Sequence, residues 1–121
     1  MREMTNAREF IMLPEFDNMW SKIGLNDEHL KKLQLEILSN PKSSKVIKGT
    51  GGLRKIRFAV EGKGKRSGVR VLYVDFVVFE KIYLITAYHK TQKDDLSVTE
   101  RNNIKKLIHV LEKTLKQGRL E

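Results

Sequence analysis

The sequence predicts an α+β domain: a small, mainly antiparallel sheet with two helices from the N-terminal third and one from the C-terminal end packed on it. Three observations carry that reading. Apolar residues recur at helical spacing between residues 15 and 40 and again between 97 and 116. From Leu53 to His89 the period switches to two, in runs rich in β-branched and aromatic side chains. A length of 121 residues suits one continuous core, so a single domain over 1–121 is expected.

Each element has its own signal. Glu9 to Leu13 reads as a short strand ended by Pro14, and Glu15 to Ile23 places Phe16, Met19, Trp20 and Ile23 on one helical face. Gly24 stops that helix, and Asn26 stands at the N-cap of the next. Asp27 and Glu28 fill its first turn, and Leu30, Leu33, Ile37 and Leu38 form its apolar stripe. Asn40-Pro41 closes it. Arg54, Ile56, Phe58 and Val60 then point one way while Lys55, Arg57 and Ala59 point the other, which makes a strand with a basic face. Gly62 to Gly68 reads as a hairpin connection, followed by strands over Val69 to Phe79 and Lys81 to His89 in a meander. Ser97 and Glu100 have capping-box spacing and open a last helix whose Ile104, Leu107, Ile108, Leu111 and Leu115 face the sheet.

The charge is concentrated. Of 24 Lys and Arg residues and 15 Asp and Glu, ten basic and a single acidic residue, Glu61, fall between Lys42 and Arg70. The fourteen of each sign elsewhere cancel, so this stretch holds the whole net charge of +9. Such a local field calls for a polyanion, and nucleic acid is the commonest, because neutralised phosphates release condensed counterions. Cysteine is absent, which excludes disulfides and thiolate ligands. Met1 to Arg8 lacks the apolar run of a secretory signal, and Val69 to Phe79 is too short and too charged to span a bilayer, so a cytoplasmic protein without membrane association is expected.

Candidate chemistry lies in the basic segment. The run Gly62-Lys63-Gly64-Lys65-Arg66-Ser67-Gly68-Val69-Arg70 lets backbone approach phosphate and projects basic side chains, although it lacks the GK[ST] ending of a Walker loop. An ordinary solvated hairpin accounts for the same composition. Lys55 and Arg57, aimed at one face of the preceding strand beside Arg54, shift the balance toward a phosphate site. Lys48 extends the set of candidate nucleic-acid contacts, which comprises Lys48, Arg54, Lys55 and Arg66. His29, His89 and His109 fall on different elements without metal-pair spacing, and no paired carboxylates stand in the basic segment, so no metal and no cofactor is expected. His29 and His109 read as solvated helix positions. His89, beside Lys90 at a strand end, reads as a polar terminus or a proton-transfer group, and Tyr73 and Tyr88 as core residues or base-stacking platforms.

The run from Gly49 through Ala59, followed by Gly62-Lys63-Gly64-Lys65 and Gly68-Val69-Arg70-Val71-Leu72-Tyr73, resembles HigB-type toxins of the RelE/ParE superfamily. The resemblance continues through Ile82-Tyr83-Leu84 and Tyr88-His89-Lys90 to Asp95-Leu96-Ser97, and reaches back to Asn40-Pro41. It implies a small RelE-like α+β toxin of a type II toxin-antitoxin pair, many of which are mRNA interferases that cut messenger RNA on the ribosome. In such enzymes a ribose hydroxyl attacks the neighbouring phosphate in line and leaves a cyclic phosphate, with no metal required. The resemblance places Arg57, Lys63, Lys65 and Arg70 at the scissile backbone, Arg70 as the bidentate clamp, with Lys90 next in line. Lys63 or Lys65 would serve as acid or base if neighbouring positive charge lowered its pKa, and His89 is a further candidate for proton transfer. The RelE branch uses a tyrosine near the start of the last segment, where this chain has Leu96-Ser97.

The resemblance also implies an adjacent antitoxin, expected to carry a helix-turn-helix domain, and a free toxin that is monomeric. Two other functions stay open at this point. One is a non-enzymatic basic binding module, including an inactive toxin working with its antitoxin. The other is gyrase inhibition of the ParE kind, which shares the fold.

Overall fold

A computed structural model describes residues 8–41, 44–60, 68–92 and 95–119. The element order is β1 (Glu9–Met12), α1 (Pro14–Ile23), α2 (Asp27–Ser39), β2 (Leu53–Phe58), β3 (Val69–Phe76), a 3₁₀ turn (Val77–Phe79), β4 (Lys81–His89) and α3 (Val98–Arg119). The strands form one sheet in the order β1-β4-β3-β2. β2, β3 and β4 make the antiparallel meander that the period-two pattern predicts. β1 joins the outer side of β4 in parallel, from Glu9 opposite Lys81 to Met12 opposite Leu84. The sheet is thus mixed, with helices packed on both of its faces.

Local chemistry sets the helix ends. Pro14 opens α1 at a first-turn position where its missing N–H costs nothing, and Gly24 closes it at φ 93°. The Asn26 side chain accepts from the N–H groups of Glu28 (3.0 Å) and His29 (3.1 Å), and His29 Nδ1 accepts from the Asn26 N–H at 3.1 Å. His29 therefore completes a capping box in place of the usual Glu or Gln. At α3, the Ser97 N–H donates to Glu100 Oε1 (2.9 Å) and the Glu100 N–H to Ser97 Oγ (3.1 Å), the reciprocal pair that their spacing predicts.

One strand ends earlier than its pattern predicts. Val77, Val78 and Phe79 continue the β-branched and aromatic run but form the 3₁₀ turn, and Glu80 takes a left-handed φ of 55° to reverse the chain into β4. Turn geometry prevails over propensity there because β4 must return antiparallel along β3, and Val77 and Val78 are left exposed.

α1 and α2 seal one face of the sheet. Phe16, Trp20, Leu33 and Ile37 pack on Ile56, Phe58, Val69, Val71, Tyr73 and Leu84. Phe16 stacks on Trp20 at 5.2 Å between ring centroids, and Trp20 meets Phe58 at 5.7 Å. α3 covers the other face through Ile108 and the partly buried Ile104, Leu107, Leu111 and Leu115, against Leu53, Leu72, Val74, Phe76, Tyr83 and Ile85. Arg8 ties the start of β1 to β3, with Nε 2.8 Å from Asp75 Oδ1 and both side chains almost fully buried. Among the described residues, no helix is long and apolar enough to cross a membrane.

Candidate functional site

Strand register assembles the basic residues. Arg57 of β2 lies directly opposite Arg70 of β3, and Arg70 directly opposite Tyr88 of β4. One row of side chains therefore runs Arg57, Arg70, Tyr88 across three strands spaced about 4.8 Å apart. Alternation puts this row on the face that carries Leu53, Leu72 and Val74, the α3 side. Lys55 shares that face two residues before Arg57, opposite Leu72. α3 crosses the sheet toward the other end of the strands, so Arg57 stays exposed while Lys55 and Arg70 are half-buried.

Two guanidinium groups placed directly opposite on neighbouring strands repel, at a cost of roughly 0.2–1 kcal/mol. Neither Arg57 nor Arg70 forms an ion pair with another described residue. Arg57 is exposed and Arg70 half-buried. Two arginines whose backbones pair directly across neighbouring strands suit a phosphodiester, since a guanidinium can grip a phosphate through paired N–H donors and stabilise added negative charge.

The other predicted residues have different fates. The Lys90 N–H donates to the Gly68 carbonyl at 3.3 Å, which holds the residue just beyond the row, at the same end of the sheet. Lys63, Lys65 and Arg66, with Gly62 and most of the predicted hairpin, lie outside the described residues. His89 is not brought to the row. It stands opposite Val69, whose side chain belongs to the α1–α2 core, so its ring emerges on the opposite face of the sheet. There His89 Nδ1 lies 2.8 Å from Thr91 Oγ1, in a cleft with Met19, Lys22 and Ile23 from α1. The reason is a one-residue irregularity in β4. The register steps from Leu72–Thr86 to Tyr73–Leu84, leaving Ile85 as the extra residue.

Arg54 also faces away, as the period-two reading of β2 requires. It pairs across the strands with Tyr73, and its Nη1 donates to the Ser44 carbonyl, clamping the segment before β2. The Tyr73 hydroxyl donates to the Pro41 carbonyl at 2.8 Å in the same region. Burial pushes the Tyr73 phenol above its usual pKa, against the lowering influence of a Ser44 hydrogen bond and of Arg54. Lys48 is exposed at the start of β2, because the Ile47 N–H binds the Leu53 carbonyl at 2.7 Å; it lies at the strand end remote from Arg57.

Tyr88 is the residue whose position only the register reveals. Its ring is buried at the foot of α3, yet it extends the arginine row. Among the described residues, no three His, Cys, Asp or Glu side chains gather as they would to hold a metal ion. A cavity of 780 Å³ lies at the other end of the sheet, beneath the C-terminal half of α3, lined by Val74, Val77 and Val78 among others. Its mostly apolar lining also holds Arg54 and Lys116 alongside the carboxylates of Asp75 and Glu112, so its charge is mixed where that of the arginine row is of one sign.

Fold and surface together define a small α+β protein that displays a cationic row on one end of a sheet face. The family model described as the RelE toxin of the RelE/RelB toxin-antitoxin system matches residues 14–120, and the chain belongs to that family. Among solved structures, the chain is similar to an arginine-to-alanine double mutant of Escherichia coli toxin RelE in the free state, with a TM-score of 0.53 and 20% identity, over 73% of this chain and 88% of that one. At that identity the likeness is one of fold. Membership of a toxin-antitoxin family implies an antitoxin as partner.

Proposed function

We propose that this chain is a HigB-type, ribosome-dependent endoribonuclease that cleaves messenger RNA by in-line attack of a ribose hydroxyl on its own 3′ phosphate. The observation that carries the reading is the direct opposition of Arg57 and Arg70. An arrangement that costs stability and has no described counter-ion is accounted for by an anion from outside. In this reading Arg70, central in the row, clamps the scissile phosphate and Arg57 stabilises the charge that gathers on its oxygens as the hydroxyl attacks. Lys55 holds a flanking phosphate. The proton leaving the ribose hydroxyl and the proton reaching the departing oxygen are assigned to Lys63 and Lys65, with Lys90 the next candidate. Arginine keeps its proton at ordinary pH and is suited to electrostatic work alone. His89, on the far side of the sheet, takes no part. The antitoxin, with its own helix-turn-helix domain, neutralises the toxin by covering the cationic row.

The test is induced expression of the wild-type chain and of Arg70→Ala in a bacterium, with mRNA ends mapped during translation and after ribosome inhibition. Growth arrest with cuts that require translating ribosomes, both lost in Arg70→Ala, is the expected result. Arrest without such cuts would turn attention to gyrase. Neither arrest nor cuts would leave a basic binding module.

A further inference from the structure

β1 covers the outer side of β4 only as far as Leu84, whose carbonyl accepts the last bond, from the Leu13 N–H at 3.1 Å. Beyond that point no described strand lies on this side of β4, which runs on to His89. Tyr88 stands directly opposite Arg70 on the α3 side of the sheet, and His89, one residue further, emerges on the α1–α2 side. There Met19, Lys22 and Ile23 of α1 meet His89, Thr91 and Gln92 around a cleft of 350 Å³. The turn that follows β4 is tied down, since the Gln92 N–H donates to the His89 carbonyl at 2.9 Å and the Lys90 N–H to the Gly68 carbonyl.

The polar groups of this cleft suit an anion. The Thr91 N–H can only donate, and it reaches His89 Nδ1 at 3.3 Å, with the Thr91 hydroxyl 2.8 Å from the same atom. Nδ1 is therefore the accepting nitrogen of the neutral ring, and the proton sits on Nε2. Neither Nε2 nor the Lys22 ammonium has a partner among the described residues. Both are donors, and no carboxylate stands in the lining. The neighbouring cleft, which shares Met19 and Gln92 with this one, holds Glu15 and Glu100 and would repel a phosphate. Lys22 lies in the last turn of α1, whose negative end is partly satisfied, because the N–H groups of Gly24 and Leu25 donate to the Ser21 and Trp20 carbonyls. Met19 and Ile23 supply apolar walls against which a sugar can lie.

We propose that this cleft holds a backbone phosphate of the RNA strand that also occupies Arg57 and Arg70, so that the strand bends round the open edge of β4 from one face of the sheet to the other. The inference rests on the nuclease reading for the identity of that strand. Lys22 supplies charge, and His89 Nε2 a directed hydrogen bond, to the phosphate oxygens. His89 thus helps to hold the RNA while lying outside the chemistry. The contact fixes the path of the strand without reading its sequence, because phosphate oxygens are the same in every nucleotide.

The experiment is a titration of the ¹⁵N-labelled protein with 2′-O-methyl hexauridylate, which has no attacking hydroxyl, and separately with inorganic phosphate. It is read at the His89 ring nitrogens, the Thr91 and Gln92 amides, and the Arg57 and Arg70 side chains. The hexanucleotide is expected to shift the cleft and the row together, roughly tenfold or more tighter than inorganic phosphate, since one chain engages two sites. Lys22→Ala and His89→Ala are each expected to weaken it roughly fivefold, about what one hydrogen bond contributes. Lys22→Ala should also reduce the salt slope by about 0.7, the share of one single-strand phosphate, and Lys22→Arg should restore affinity and slope. Lys22 is exposed, so its replacement leaves the fold intact. Shifts confined to the arginines would overturn the proposal and leave the nuclease reading standing. Shifts at His89 with none at the arginines would overturn that reading and support the cleft as an RNA phosphate site. A cleft that binds inorganic phosphate as tightly as the hexanucleotide, or binds neither, would also overturn the proposal.

Discussion

The two faces of this sheet are built from the same three antiparallel strands and are put to opposite uses. On the α1–α2 side, alternate positions from Val69 to Tyr73 are fully buried under Phe16, Leu33 and Ile37. On the α3 side the same strands bury Leu72, Val74 and Phe76 at one end and carry Arg57, Arg70 and Lys55 at the other. A sheet with one sealed face can hold like charges together on the second, because the core supplies stability that the cationic row subtracts. The division of labour makes the faces respond differently to substitution.

The largest effect is expected on the sealed side. Phe16 is completely buried and stacks on Trp20, so Phe16→Ala removes a ring and leaves a cavity, a loss of about 3–5 kcal/mol. Lys55→Ala on the open side is expected to stay within about 0.5 kcal/mol. Urea unfolding of the two variants measures the contrast, and similar losses would mean that the basic strand is itself part of the stabilising framework.

How much of this division was legible in the sequence depends on whether a feature is local. The alternation Lys55, Ile56, Arg57, Phe58 already separates the faces of β2, and Ser97 with Glu100 already marks the start of α3, because both are governed by neighbours a few residues away. The capping role of His29 was also within reach, three residues after Asn26, but a histidine there does not match the usual Glu or Gln. What lay beyond the sequence is non-local. The parallel docking of β1 on β4 depends on a long crossover, and the extra residue Ile85 sends His89 away from the row and brings Tyr88 into it. No pattern of residue types announces a one-residue slip, and that slip decides which neighbour of Lys90 faces the arginines.

A smaller effect is expected where the sealed face ties down the segment before β2. Tyr73→Phe removes the hydrogen bond to the Pro41 carbonyl and is expected to cost about 1 kcal/mol near neutral pH. The same substitution should change the alkaline limb. Burial raises the Tyr73 pKa, so the folded state holds its phenolic proton more tightly than the unfolded chain does. The contribution is intact below the ordinary tyrosine pKa of about 10 and is lost as pH climbs from there through the raised folded value. Urea midpoints measured from neutrality upward should therefore fall less steeply in Tyr73→Phe than in the wild type. Parallel curves would show that Tyr73 ionises alike in both states.

The smallest effect has the opposite sign and bears most directly on the comparison. If Arg57 and Arg70 repel across β2 and β3, then Arg57→Gln or Arg70→Gln stabilises the fold by about 0.2–1 kcal/mol. The gain should shrink as salt screens the pair. The double substitution should add less than the sum of the two singles, because the first has already removed the repulsion. Each single change should also lower the salt dependence of binding to a short RNA by about one counterion, the signature of a lost phosphate contact. Urea unfolding at low and high salt, paired with RNA binding over the same range, separates stability from affinity. A loss of stability in Arg70→Gln would make that arginine part of the framework and erase the difference between the faces. A gain in stability with a loss of affinity means that the row is maintained for a ligand at the expense of the fold.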